Sequence, residues 1–146
     1  MKRIFACVLV LTLLVSSFAI SANAAELTRT VEHLSDGSYY VIEVEESNSL
    51  ARASKTGMKS ATYYTANDVK VFTVRVTGTF SYTSGVSATA VSQSVDVILH
   101  QSSARIVDYS SRRSGATVYG SGIVSYGGLT ISKSVNLTCD KYGNLS

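Results

Sequence analysis

The stretch VKVFTVRVTGTFSY, residues 69–82, decides the fold. Phe72, Val74, Val76, Phe80 and Tyr82 fall on one face of a period-two pattern, with Val71, Thr73, Arg75, Thr77 and Thr79 on the other. That alternation is the signature of a half-buried strand. Gly78 falls on the apolar face, where a missing side chain predicts a bulge or bend.

The same period recurs on both sides of this strand. Thr28 to His33 reads as a first strand, Ser35-Asp36-Gly37-Ser38 as a hairpin turn, and Tyr39 to Glu46 as its return. Tyr40, Ile42 and Val44 share a face of the return strand. Ser47 to Gly57 has no period and reads as a connection; Lys59 to Thr65 resumes as strand, and Ala66-Asn67-Asp68 turns it. Beyond Tyr82, Ala88 to His100 places Val91, Val95, Val97 and Leu99 in phase. Arg105 to Ser110 is a short strand, Ser111 to Gly115 a loop with Arg112 and Arg113, and Thr117 to Tyr126 a further strand. Gly127-Gly128 is a tight turn into Leu129 to Cys139, where Leu129, Ile131, Val135, Leu137 and Cys139 face inward and Lys133 interrupts them. About eight strands with short turns and no helical period predict an all-β antiparallel two-sheet sandwich, Ig-like, with a barrel as the alternative.

The chain opens with a different kind of sequence. Lys2 and Arg3 precede an apolar run from Ile4 to Ile20, and Ala22-Asn23-Ala24 follows as a cleavage box. This predicts a helical signal peptide over 1–24 and a secreted, extracellular domain over 25–146. The run is short for a membrane span and lacks a basic stop-transfer cluster, so no span is expected after cleavage. Removing the leader takes Lys2 and Arg3, so the net charge falls from +3 to +3 − 2 = +1. A nearly neutral domain offers no electrostatic case for nucleic acid. Cys7 leaves too, so Cys139 is alone and no intrachain disulfide is possible.

Candidate chemistry is sparse. Leu137-Thr138-Cys139 superficially resembles the strand-borne cysteine signature of sortases, with His100 upstream as a base. Its inward phase instead favours a buried small hydrophobe. His33 and His100 sit on separate strands without metal-ligand spacing, and Asp36, Asp68 and Asp140 lie at turns, so no metal and no cofactor is expected. Glu43 and Glu45 share one strand face rather than flanking a cleft. Gly120-Ser121-Gly122 lacks a nucleophile elbow, and its glycines predict a ring packed over the backbone. Tyr39, Tyr63 or Tyr64, and Tyr142 are the exposed candidates for stacking on a sugar. The acidic residues Glu26, Glu32, Asp36, Glu43, Glu45 and Glu46 concentrate in the first hairpin, and solvated faces are the favoured reading over docking on a basic surface.

Three segments carry a resemblance: Asp36-Gly37-Ser38-Tyr39 with its acidic strand, Val74 to Tyr82, and Val135-Asn136-Leu137-Thr138-Cys139 followed by Gly143-Asn144-Leu145-Ser146. Over residues 28–146 the chain resembles small exported β-sandwich proteins of low-GC Gram-positive bacteria with no assigned function. The resemblance implies secretion and a sandwich, not an activity. Its members often carry a second cysteine after the Tyr82 strand, which this chain lacks. The expectation is therefore a non-enzymatic binding module for an extracellular protein or cell-envelope component. Its edge strands and the basic stretches Arg52–Lys55 and Arg112–Arg113 are the expected contacts. A sortase-like enzyme or a glycan-binding module is the alternative.

Overall fold

A computed structural model describes residues 27–47 and 53–146. The expected signal peptide over 1–24, Cys7, Glu26 and Arg52 lie outside the described residues. Eight antiparallel strands form two sheets. The larger sheet holds β1 (Leu27–His33), β2 (Tyr39–Ser47), β3 (Ser54–Tyr64), β4 (Lys70–Thr83) and β5 (Ser87–Leu99) in sequence order. The smaller holds β6 (Arg105–Ser114), β7 (Thr117–Tyr126) and β8 (Leu129–Thr138), again in sequence order. The sandwich read from the alternation is the architecture that forms, as two meanders packed face to face.

The core is the alternation itself, closed between two layers. Phe72, Val74, Val76 and Phe80 of β4 are fully buried against Val118 and Val124 of β7 and Leu137 of β8. β4 lies under β7 and β8, β5 under β6 and β7, and β3 under β8. On β7 the inward face alternates Val118, Gly120, Gly122 and Val124. A Cβ on Gly122 would stand 2.8 Å from methyls of Val74 and Val97, and one on Gly120 would overlap Val76. Valine methyls of the facing sheet, not an aromatic ring, therefore fill the space over these glycines, and β7 sits close on β4 and β5. At Gly78, where the sequence predicts a bulge or bend, the strand stays in register with Gly57 and Gln93 and the irregularity comes one step on, at Thr79 and Phe80. Phe80 folds its ring over the glycine, 2.9 Å from where a Cβ would be.

Two bulges shift the phase that the sequence suggests. Tyr63 pairs with Phe72 but Tyr64 pairs with Lys70, so Val71 is the extra residue of β4. A bulge places two consecutive residues against one partner, and Val71 and Phe72 are both fully buried. Val71 is therefore core rather than part of the polar face. On β5, Ser92 and Ala90 oppose Thr79 and Phe80, leaving Val91 as the extra residue. Beyond it Ala90 turns inward at 6% exposure and Val91 outward at 47%. Two expected loops are strand. Ser54–Gly57 pairs with β4, and its Thr56 and Gly57 with β2 as well, and Ser111–Ser114 continues β6 along β7. Neither shows apolar alternation, because the first is half-buried and polar and the second belongs to an edge strand exposed along its length.

Turns close as their composition dictates. Gly37, Gly127 and Gly128 take positive φ, and Asp68 does so as the non-glycine residue of its turn.

Candidate functional site

Cys139 follows β8 at 1% exposure, inside the core. Burial raises its thiol pKa, and the neighbouring Asp140 carboxylate adds to the effect. Such a thiol is held protonated, the opposite of an activated nucleophile. His100 is not beside it. Cys139 donates its N–H to Ala116 while Ala90 bonds Gly115, so the cysteine lies level with Ala90. His100 is beyond the far end of β5, on the order of 30 Å away at about 3.3 Å per residue. There it joins a chain of side chains on the outer face of the large sheet. Its Nε2 is 2.9 Å from Thr73 Oγ1, which is 2.9 Å from Thr62 Oγ1. Desolvation first, and Lys70 second, depress its pKa. The Cys139–His100 pair of the sortase-like alternative is not assembled.

The other candidates are spent on structure. Asp36 accepts from Ser38, Asp68 from the Tyr39 hydroxyl, and Asp140 from Tyr142 and Asn144. These local bonds lower the Asp36 and Asp140 carboxyl pKa values, with Ser38 and Asn144 as the leading causes. No group of three or more His, Cys, Asp or Glu that could hold a metal occurs among the described residues. Glu43 lies 3.7 Å from Arg29 on the neighbouring strand. Tyr39 and Tyr64 stack on each other at 5.0 Å and 5°, so one face of each ring is taken by the other. Tyr63 is buried between Tyr40 and Phe72. Tyr142 remains exposed, with Lys141 5.2 Å from its ring.

Of the basic stretches, Lys55 is committed to Glu46 at 2.6 Å. Arg113 donates to the Val91 carbonyl and to Gln93. Arg112 lies 4.0 Å over Tyr119, in a shallow depression shared with Ser110, Ser121, Ser134 and Asn136.

The unoccupied geometry of interest is the open flank. Three strands cannot cover five. β8 lies over β3 and β4, which leaves β1 and the inner side of β2 without a facing strand among the described residues. β1 is exposed along its whole length. The gap is bridged at one end by Lys133, whose Nζ is 2.7 Å from Glu32 of β1 and 4.1 Å from the Tyr40 ring centre. Burial, followed by Tyr63 and Glu32, pushes the Tyr40 hydroxyl up to about 12. The other end is filled by the C-terminal segment. Asp140 to Gly143 turn the chain, Leu145 reaches over Gly57, and its N–H bonds Glu46. Between these ends lies a groove of about 230 Å³, floored by Ile42, Ala61 and Val135 and edged by Lys59 and Asn136. Sequence reasoning missed this groove. Two of the acids of the first hairpin, Glu32 and Glu46, do pair with lysines of the remainder, across a separation no local pattern shows.

The backbone along this groove has a defined polarity. In an antiparallel pair, alternate residues turn their N–H and C=O toward and away from the partner. Cys139 bonds β7-side Ala116, whereas Thr138 exchanges both bonds with Ser146. In that phase Asn136, Ser134, Ser132 and Thr130 direct their backbone groups away from β7. Ser146 occupies the place opposite Thr138, and no strand among the described residues continues it along β8. No helix among them is long and apolar enough to cross a membrane. No protein-family model matches the chain, and neither a curated protein nor a solved structure matches it.

Proposed function

We propose that this protein is a non-enzymatic binding module, exported by a bacterium, that takes an extended segment of an extracellular or cell-envelope protein onto the free edge of β8. One observation carries the reading. The C-terminal segment begins a strand against β8 and covers Thr138, while no strand among the described residues pairs with the free edge of 130–136 or faces the inner side of β1 and β2 beside it. Open edges are templates for strand addition, in which main-chain bonds give affinity and alternate side-chain pockets give specificity. The leader-like sequence at 1–24 supports export, and the buried Cys139, whose thiol pKa is raised, supports a role without covalent chemistry.

Ser134→Pro tests the reading. Its N–H faces the free edge, so proline removes no bond of the β7–β8 ladder and belongs to the positions where edge strands tolerate it. The wild-type protein is screened against a library of extended peptides, with amide hydrogen exchange as the readout. Binding is expected to slow exchange at Ser132, Ser134 and Asn136, and Ser134→Pro to weaken it by roughly tenfold or more while the protein stays folded. Equal binding by the proline variant, or no binder at all, overturns the proposal.

A further inference from the structure

We infer that the strand received by β8 carries a carboxylate, and that Lys59 receives it. This deepens the strand-acceptor reading above and rests on it.

Three lysines face the interior of the open flank, and they differ in one respect. Lys55 pairs with Glu46 at 2.6 Å and Lys133 with Glu32 at 2.7 Å. Lys59, on the inward face of β3 opposite Val44 and Val76, has no carboxylate within ion-pairing distance among the described residues. It is half-buried, and desolvation depresses its pKa. A cation kept at the side of an apolar groove without an anion is a cost that an incoming anion removes. Glu32 does not serve, because Lys133 already holds it.

The C-terminal segment sets where such an anion would arrive. Leu145 points inward over Gly57 and Ser146 pairs with Thr138. A strand continuing this line along β8 alternates inward and outward. Its inward positions fall opposite Leu137 and then Val135. In the large sheet these positions lie over the row holding Val44 and Lys59, and the row holding Ile42 and Ala61. An Asp or Glu in one of them meets the ammonium, and an apolar residue in the other meets the floor. The favoured partner is therefore an extended peptide whose inward face pairs one acid with small apolar residues.

Isothermal titration of the exported protein with a capped Thr-Val-Thr-Glu-Thr-Val-Thr peptide and its Gln counterpart tests this. The Glu peptide is expected to bind roughly tenfold more tightly, with added salt narrowing the gap. Lys59→Met should abolish the difference and leave the thermal midpoint no lower, while Lys59→Arg should keep it. If both peptides bind equally, the acid preference fails and the strand reading stands. If neither binds, both fail. If ultracentrifugation shows a dimer that the Glu peptide does not disperse, a second copy holds the edge and the inference is overturned.

Discussion

The two flanks of the sandwich are built from the same alternating chemistry and end differently. On the β5–β6 flank, the chain passes from one sheet to the other through His100 to Ala104, and Arg113 ties β6 back to β5 through Val91 and Gln93. On the β1–β8 flank, no strand among the described residues completes the smaller sheet, and single side chains bridge the layers instead. On the closed flank β6 is exposed, and apolar contact between layers comes from Val95 and Val97 of β5 against Gly120 and Gly122 of β7. The open one relies on two ion pairs and the turned-back C-terminal segment. Burying apolar surface between layers is worth far more than a partly solvated ion pair, so the two flanks should respond to substitution on different scales.

The largest effect belongs beneath the layers. Phe72 is fully buried and packs 5.5 Å from the Tyr63 ring. Phe72→Ala should cost about 3–5 kcal/mol, read as a shift of the urea midpoint. Val31→Ala on β1, where the side chain is 47% exposed, should stay within about 0.5 kcal/mol. Similar losses at both positions would mean that β1 is covered in solution.

Next comes the spacing between the layers. Gly122→Ala places a methyl 2.8 Å from Val74 and Val97, and overpacking of this kind costs about 1–3 kcal/mol. Combining it with Val97→Ala should recover part of the loss, because one of the two clashing methyls is then gone. A variant as stable as the parent would show that the sheets separate without penalty.

The sequence displays one flank better than the other, for a physical reason. Val69 to Tyr82, Thr117 to Tyr126 and Leu129 to Cys139 are legible because each places apolar residues against a facing layer, and a layer selects period two. Leu129, expected inward, is the exception, exposed at the start of β8. The Gly127-Gly128 and Asp36-Gly37 turns are legible because positive φ selects glycine. Ser54 to Gly57 and Ser111 to Ser114 are strands without apolar alternation, one lining the open flank and the other exposed at an edge, so composition hides them. The bulges at Val71 and Val91 are invisible because they are properties of a pair of strands. The same holds for the groove. Glu32 and Lys133 meet across 101 positions of chain. What the sequence does offer is phase. Lys133 sits among Ile131, Val135 and Leu137, and Lys59 among Ala61 and Tyr63, each a lysine where the alternation calls for an inward residue.

The smallest effect is expected at the bridge itself. Lys133 and Glu32 are 15% and 50% exposed, and Lys133 also rests on the Tyr40 ring. Glu32→Gln leaves that ring contact in place and keeps a neutral acceptor near the ammonium, so the loss should be about 1 kcal/mol or less. Its clearer signature is in Tyr40. Burial is the main reason that this hydroxyl titrates at about 12, with Tyr63 and then the Glu32 charge adding to the rise. Neutralising Glu32 should bring the alkaline absorbance midpoint of Tyr40 down without returning it to 10. Because the folded pKa is raised, Tyr40 contributes stability that is complete below pH 10 and is lost as pH rises toward 12. The variant should start that loss at the same pH and finish it earlier. If Glu32→Gln instead costs as much as Phe72→Ala, the ion pair is what holds β1 and β2 to β8, and the open flank is as firmly closed as the other.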